Sequence, residues 1–213
     1  LIQTNPPAPV VAGERFNTLT HLFGFALAIA GCASLLHRAA SGDGSRGLAG
    51  AAVFGFSMVM LYGCSVLFHS TRGRRKRFFE RADHAAIYLL IAGTFTPFPL
   101  VAAPGWVAAS MLLLVWSLTA TGIAKELRVG PSRAAPLRLY LAIGWASLIG
   151  AVPFAAAHSS TSLAWLVAGG IAYAAGTRYY RNPAGRPHAH GIWHLFVLAG
   201  SACHFLAVDA LLV

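Results

Sequence analysis

Apolar residues fill runs of about twenty along this chain, and short clusters of glycine, proline, asparagine and basic residues separate the runs. A helix needs about 20 predominantly apolar residues to cross the hydrocarbon layer of a bilayer. Seven stretches meet or approach that length: residues 17–36, 48–69, 83–101, 105–124, 137–156, 163–179 and 190–212. The sixth is the shortest and weakest. Between the stretches lie Ser41-Gly42-Asp43-Gly44, Pro104-Gly105, Gly130-Pro131-Ser132 and Asn182-Pro183, all of them helix-breaking combinations. The runs are too long and continuous for barrel strands, and open strands cannot cross lipid with unpaired edges. The pattern predicts an all-α integral membrane protein. Residues 14–213 form one domain of seven transmembrane helices, and residues 1–13, uncharged and rich in Pro and Ala, form a flexible segment outside it.

Composition agrees. Of 213 residues, 57% are apolar and 10% are Asp, Glu, Lys or Arg, against about 25% charged in soluble domains. The formal net charge of +10 does not indicate a nucleic-acid partner, because the basic residues sit in short connections between apolar runs. There they face phospholipid headgroups, so membrane lipids are the expected partners. Seven spans place Arg15, residues 72–81, 125–138 and 178–186 on one side, and only Arg38 and Arg46 on the other. The positive-inside rule then sets the N-terminus in the cytoplasm and the C-terminus outside. The segment 72–81 reads as a headgroup-facing loop. Cys32, Cys64 and Cys203 lie singly within apolar runs and read as packing residues.

Ionisable residues inside membrane helices are costly and point to function. They gather at the basic end of the predicted bundle. His69 closes the second helix, Asp83 opens the third, His190 and His194 open the seventh, and Asn17 and His21 open the first. His190 and His194, four apart, share one helix face and have the spacing of a metal-binding pair. Ser65 lies one turn deeper than His69 on the same face. Three His ligands with a fourth position open make a catalytic type of zinc site. Asp83, the one carboxylate placed within a helix at that end, would hold a metal-bound water or take its proton. The alternative is that His190 and His194 simply face headgroups at a helix end. Asn17 and His21 read either as supports of the metal ligands or as hydrogen-bonding residues between helices. His204 lies about 15 Å from His194 along a helix, too far to share the metal, and reads as an interhelical hydrogen-bonding residue. His84 points away from Asp83. Glu14 would cap the first helix or approach the site. His37, His158 and His188 read as solvated.

At these residues the sequence resembles the hemolysin III family, a bacterial family related to the progestin and adipoQ receptors and more distantly to alkaline ceramidases. The resemblance is carried by residues 14–21 (ERFNTLTH), 65–70 (SVLFHS), 83–88 (DHAAIY), 92–97 (AGTFTP) and 190–194 (HGIWH) with its continuation to His204-Phe205. It implies seven transmembrane helices with a cytoplasmic N-terminus, a bacterial plasma membrane location, zinc on His69, His190 and His194, and Asp83 and Ser65 close to the zinc-bound water. Three functions follow: a zinc-dependent hydrolase acting on a lipid, perhaps at an amide bond; a receptor-like or lytic protein with structural zinc; and, weakest, a transporter or channel.

Overall fold

The computed structural model describes residues 14–42, 44–128 and 137–212, and every regular element among them is a helix. The predicted turn at 130–132 and the segment 1–13 lie outside the described residues. In chain order the helices are α1 (Glu14–Gly42), α2 (Gly44–Ser70), α3 (Gly73–Phe95), α4 (Pro97–Ala102), α5 (Gly105–Arg128), α6 (Leu137–His158), α7 (Ser160–Arg181) and α8 (Ala189–Leu211). Helices α3 and α4 together form one apolar segment of 30 residues. With α1, α2, α5, α6 and α8 it makes six segments long and apolar enough to cross a membrane. Helix α7 is not among the six; its last turn carries Arg178 and Arg181.

The distribution of side chains is that of a bundle in lipid. Large apolar residues such as Leu19, Phe23, Leu113, Ile149 and Ile171 point outward, while Asn17, His21, Ser65, His69, Glu126, His194 and His204 are buried. In water the outward face would be an unusually extensive apolar surface. Against acyl chains it is the ordinary one. The chain is therefore an integral membrane helical protein.

Helix α1 packs chiefly on α2, α2 on α3, and α7 on α8, while α1 and α8 close on each other. The last contact needs glycine. A Cβ on Gly191 would stand 3.0 Å from Asn17 Oδ1 and closer still to the Phe16 ring, so a side chain there would hold α8 away from α1.

Several predicted boundaries move. The chain turns at extended Arg72 and at Gly73, whose φ of 63° suits glycine. Helix α3 then begins at once, so residues 73–81 are helical and not a loop. Arg and Lys are good helix formers, and an apolarity criterion cannot see such a turn. Asp83 consequently sits in the third turn of α3. At the far end α3 breaks at Thr96-Pro97, where proline removes a backbone donor. Thr96 Oγ1 donates to the Ala92 carbonyl at 2.7 Å and accepts from Trp116 Nε1 at 3.1 Å, so the break is internally satisfied. Helix α5 runs past residue 124 to Arg128, which brings Glu126 into the bundle. The Asn-Pro pair ends α7 as predicted, with Asn182 in the left-handed conformation (φ 41°) that asparagine tolerates. The two basic residues at the end opposite the basic cluster are both engaged. Arg38 pairs with Asp209 at 2.6 Å, and Arg46 donates to the carbonyls of Pro99 and Ala103.

Candidate metal centre

The first turns of α1 and α8 meet the last turns of α2 at one end of the bundle. His69 comes from α2, and His190 and His194 from one face of α8. One ligating nitrogen from each of the three lies within 4.8 Å of the others. His69 and His194 are buried and His190 half-buried.

Hydrogen bonds fix the tautomers. His69 Nδ1 is 2.5 Å from Glu14 Oε2. A carboxylate only accepts, so Nδ1 carries the proton and Nε2 carries the lone pair. That Nε2 is fully buried and has no partner among the described residues. His194 Nδ1 lies 3.1 Å from the Asn17 carbonyl and 3.1 Å from Thr20 Oγ1. The carbonyl can only accept, so Nδ1 again is the donor, and Nε2 is left to ligate. Thr20 in turn donates to the backbone at Asn17 or Phe16. A ligating histidine whose second nitrogen is tied to a carboxylate or carbonyl is the usual arrangement at a metal site. A buried acceptor nitrogen with nothing to accept from is otherwise costly. These residues fit a divalent metal ion held by three imidazoles.

Glu14 is anchored in turn. Its Oε1 accepts from Lys76 Nζ at 2.9 Å, and that ammonium also reaches the Phe68 carbonyl and lies over the Phe68 ring. The pair links α1, α2 and the basic start of α3 around His69.

His21 stacks on His194, with ring centroids 3.5 Å apart and planes within 11°. Its Nδ1 is 2.7 Å from Ser65 Oγ, and the Asp83 carboxyl stands beside the same hydroxyl. An ionised Asp83 would accept a hydrogen bond from Ser65, which orders the contacts as His21 Nδ1–H to Ser65 Oγ–H to Asp83. The Asn17 backbone carbonyl, and not its side-chain amide, supports His194; Asn17 Oδ1 has no partner among the described residues.

A cavity of about 160 Å³ opens beside this cluster. His21, Ser65, Asp83, His190 and His194 line its polar end, and the rest of its wall is mostly apolar side chains of α3, α6, α7 and α8. His84, expected to point away from Asp83, lines the same cavity; its Nδ1 is 2.8 Å from Glu126 Oε1 on α5. Asp83 is thus not the one helical carboxylate at this end: Glu14, Glu80 and Glu126 are helical as well. By apolar length Glu14 falls before the first helix and Glu126 beyond the fourth span. Nothing in the apolar pattern singles out Thr20. His37, His158 and His188 are exposed, as expected of solvated residues. His204 bonds across to the Leu166 carbonyl of α7 at 3.2 Å, the interhelical role expected of it.

The chain is similar along most of its length to bacterial and mammalian proteins. It is 39% identical over 197 residues to the hemolysin-3 homolog of Bacillus subtilis, covering 92% of each chain. It is 35% identical over 200 residues to hemolysin-3 of Bacillus cereus, covering 93% of this chain and 91% of the relative. It is 29% identical over 207 residues to the human monocyte to macrophage differentiation factor, covering 94% of this chain and 84% of the relative. The family described as haemolysin-III related matches residues 11–205, a stretch that takes in every residue of the metal cluster, and the chain belongs to that family.

Proposed function

We propose that this protein is a zinc-dependent membrane hydrolase that cleaves a lipid, at an amide or a similar acyl bond. Seven spans cross a bacterial plasma membrane in this reading, α7 completing the set, with the N-terminus and the metal cluster at the cytoplasmic face. The observation that carries the proposal is the joining of three features at one place. A three-imidazole cluster offers no fourth protein ligand among the described residues, the Asp83 carboxyl lines the cavity that His190 and His194 also line, and the rest of that cavity is mostly apolar.

Zinc in that cluster would polarise a carbonyl and lower the pKa of its water toward about 7. Asp83 orients the attacking water and takes its proton. While Asp83 is ionised, Ser65 is committed to it. Once Asp83 is protonated, the Ser65 hydrogen is free to turn to the developing oxyanion. Glu14 and the Asn17 carbonyl hold His69 and His194 in the ligating tautomer. The apolar wall receives the acyl chain, and substrate enters between helices from the inner leaflet.

The test is turnover. Zinc-loaded protein in detergent or liposomes is offered a broad panel of acylated lipids, and release of fatty acid is measured. Asp83→Asn is expected to lower the rate by at least about a hundredfold, the low end for loss of a general base, while zinc content and helicity stay unchanged. Absence of release from every lipid would overturn the reading.

A second reading is favoured by the lytic names of the bacterial relatives and by the way the ligands bridge α2 and α8. There the metal is a structural clamp in a receptor-like or lytic protein. Under it Asp83→Asn leaves function nearly unchanged.

A further inference from the structure

The cavity has a second polar region that the hydrolytic site does not use. It lies at the level of His204, ten residues or about 15 Å along α8 from His194. His204 is 6% exposed and lines the cavity. Its ring is locked. One edge lies against Gly169, where a Cβ would meet ring atoms, and Nε2 is 3.2 Å from the Leu166 carbonyl. The carbonyl accepts, so Nε2 bears the proton and Nδ1 is an acceptor. That Nδ1 is buried and has no partner among the described residues. Tyr173 packs beside the ring, with centroids 5.3 Å apart, and also lines the cavity.

Tyr173 belongs to a chain of three hydroxyls. Tyr62 donates to Ser201 at 2.8 Å, and Ser201 shares a second bond of 2.8 Å with Tyr173. Two bonds among three hydroxyls use two of three protons. When Ser201 donates to Tyr173, the Tyr173 proton is free for the cavity. This region therefore offers one fixed acceptor and one available donor within a mostly apolar wall. A hydroxyl group both donates and accepts, and it satisfies the two together.

We propose that this region is a binding subsite for a hydroxyl group borne partway along the lipid chain, with His204 Nδ1 accepting and Tyr173 donating. The ligand class is an amphipathic lipid whose hydroxyl lies about 15 Å from the head held at the metal cluster. The inference rests on the reading of the cavity as a lipid site and adds the substrate feature that the cavity selects.

Binding of two octadecanoic acids to the detergent-purified full chain tests it, one plain and one with a mid-chain hydroxyl. Two hydrogen bonds in a buried site are expected to favour the hydroxylated acid by about 5- to 150-fold. His204→Gln keeps an N–H for the Leu166 carbonyl but moves its acceptor, Oε1, off the Nδ1 position; in it the preference is expected to fall while plain acid binds as before. Tyr173→Phe should lower the preference in the same way and stands as the second variant should His204→Gln misfold, as judged by its helical circular dichroism and melting. Equal binding of the two acids by the native protein overturns the subsite and leaves the lipid cavity standing. A preference that survives in both variants also overturns it. Binding of neither acid overturns the subsite together with the lipid reading on which it rests.

Discussion

At the scale of single residues, the cluster explains itself through proton positions. Two of the three imidazoles have their distal nitrogen committed as a donor, His69 to a carboxylate and His194 to a carbonyl. The commitments differ in strength, since bonds to charged groups are stronger than those between neutral ones. Glu14→Gln is therefore expected to weaken metal affinity by about 10- to 100-fold, the range for lost outer partners, with all three ligands intact. Thr20→Val should do less, because the Asn17 carbonyl still accepts from His194. Competition with a chelator of known affinity measures both, and equal losses in the two variants would contradict this ranking. The three-histidine cluster is legible in the sequence. His190 and His194 show themselves by a spacing of four, and His69 by its place at the same predicted helix end. Glu14 was seen but not assigned to His69, because a contact between residues 55 apart leaves no trace in local spacing. Thr20 was invisible for the same reason, and a threonine in an apolar run carries no signal of its own.

At the scale of helices, position was easier to read than extent. Apolar length located the spans but stopped where charge began. It missed the basic opening of α3 and the last turn of α5, and so it left Glu126 out of the bundle. His84 turns from Asp83 toward Glu126 on α5, as its angle on the helix predicts. A rotation of about 100° takes it off the Asp83 face, yet the cavity is wide enough to reach both. The closeness of α1 and α8 makes a further prediction. Gly191→Leu should force the two helices apart at Phe16 and Asn17 and remove the carbonyl that fixes His194. The expected result is a stable but metal-depleted protein, measured as zinc per chain beside the helical circular dichroism. Full metal content in Gly191→Leu would show that the α1–α8 approach does not position the ligands. At Gly144 a Cβ meets nothing within 4 Å, so Gly144→Ala serves as the control and should keep its metal.

At the scale of the whole molecule, the outward apolar face and the buried polar cluster are two sides of one design. Lipid outside leaves no driving force to bury greasy side chains, so the interior is free to hold histidines, carboxylates and a cavity. The membrane class could be read from composition and run length. The number of spans rests on the weak segment now seen as α7, whose apolar run is diluted by Ser160, Thr161, Ser162, Gly169, Gly170, Gly176 and Thr177. Seven spans with opposed termini predict that a label impermeant to the membrane reaches a cysteine placed in 182–187 only from the cytoplasmic side, and one placed at 159 only from outside. The reverse, or equal access to both, would contradict that topology. The central claim is the metal itself, and its most direct measurement is the metal content of chain purified without chelators, beside His69→Ala and the double variant His190→Ala/His194→Ala. The account predicts about one zinc per chain in the native protein and none in the folded variants; a native protein without metal, or variants that keep it, would contradict the account.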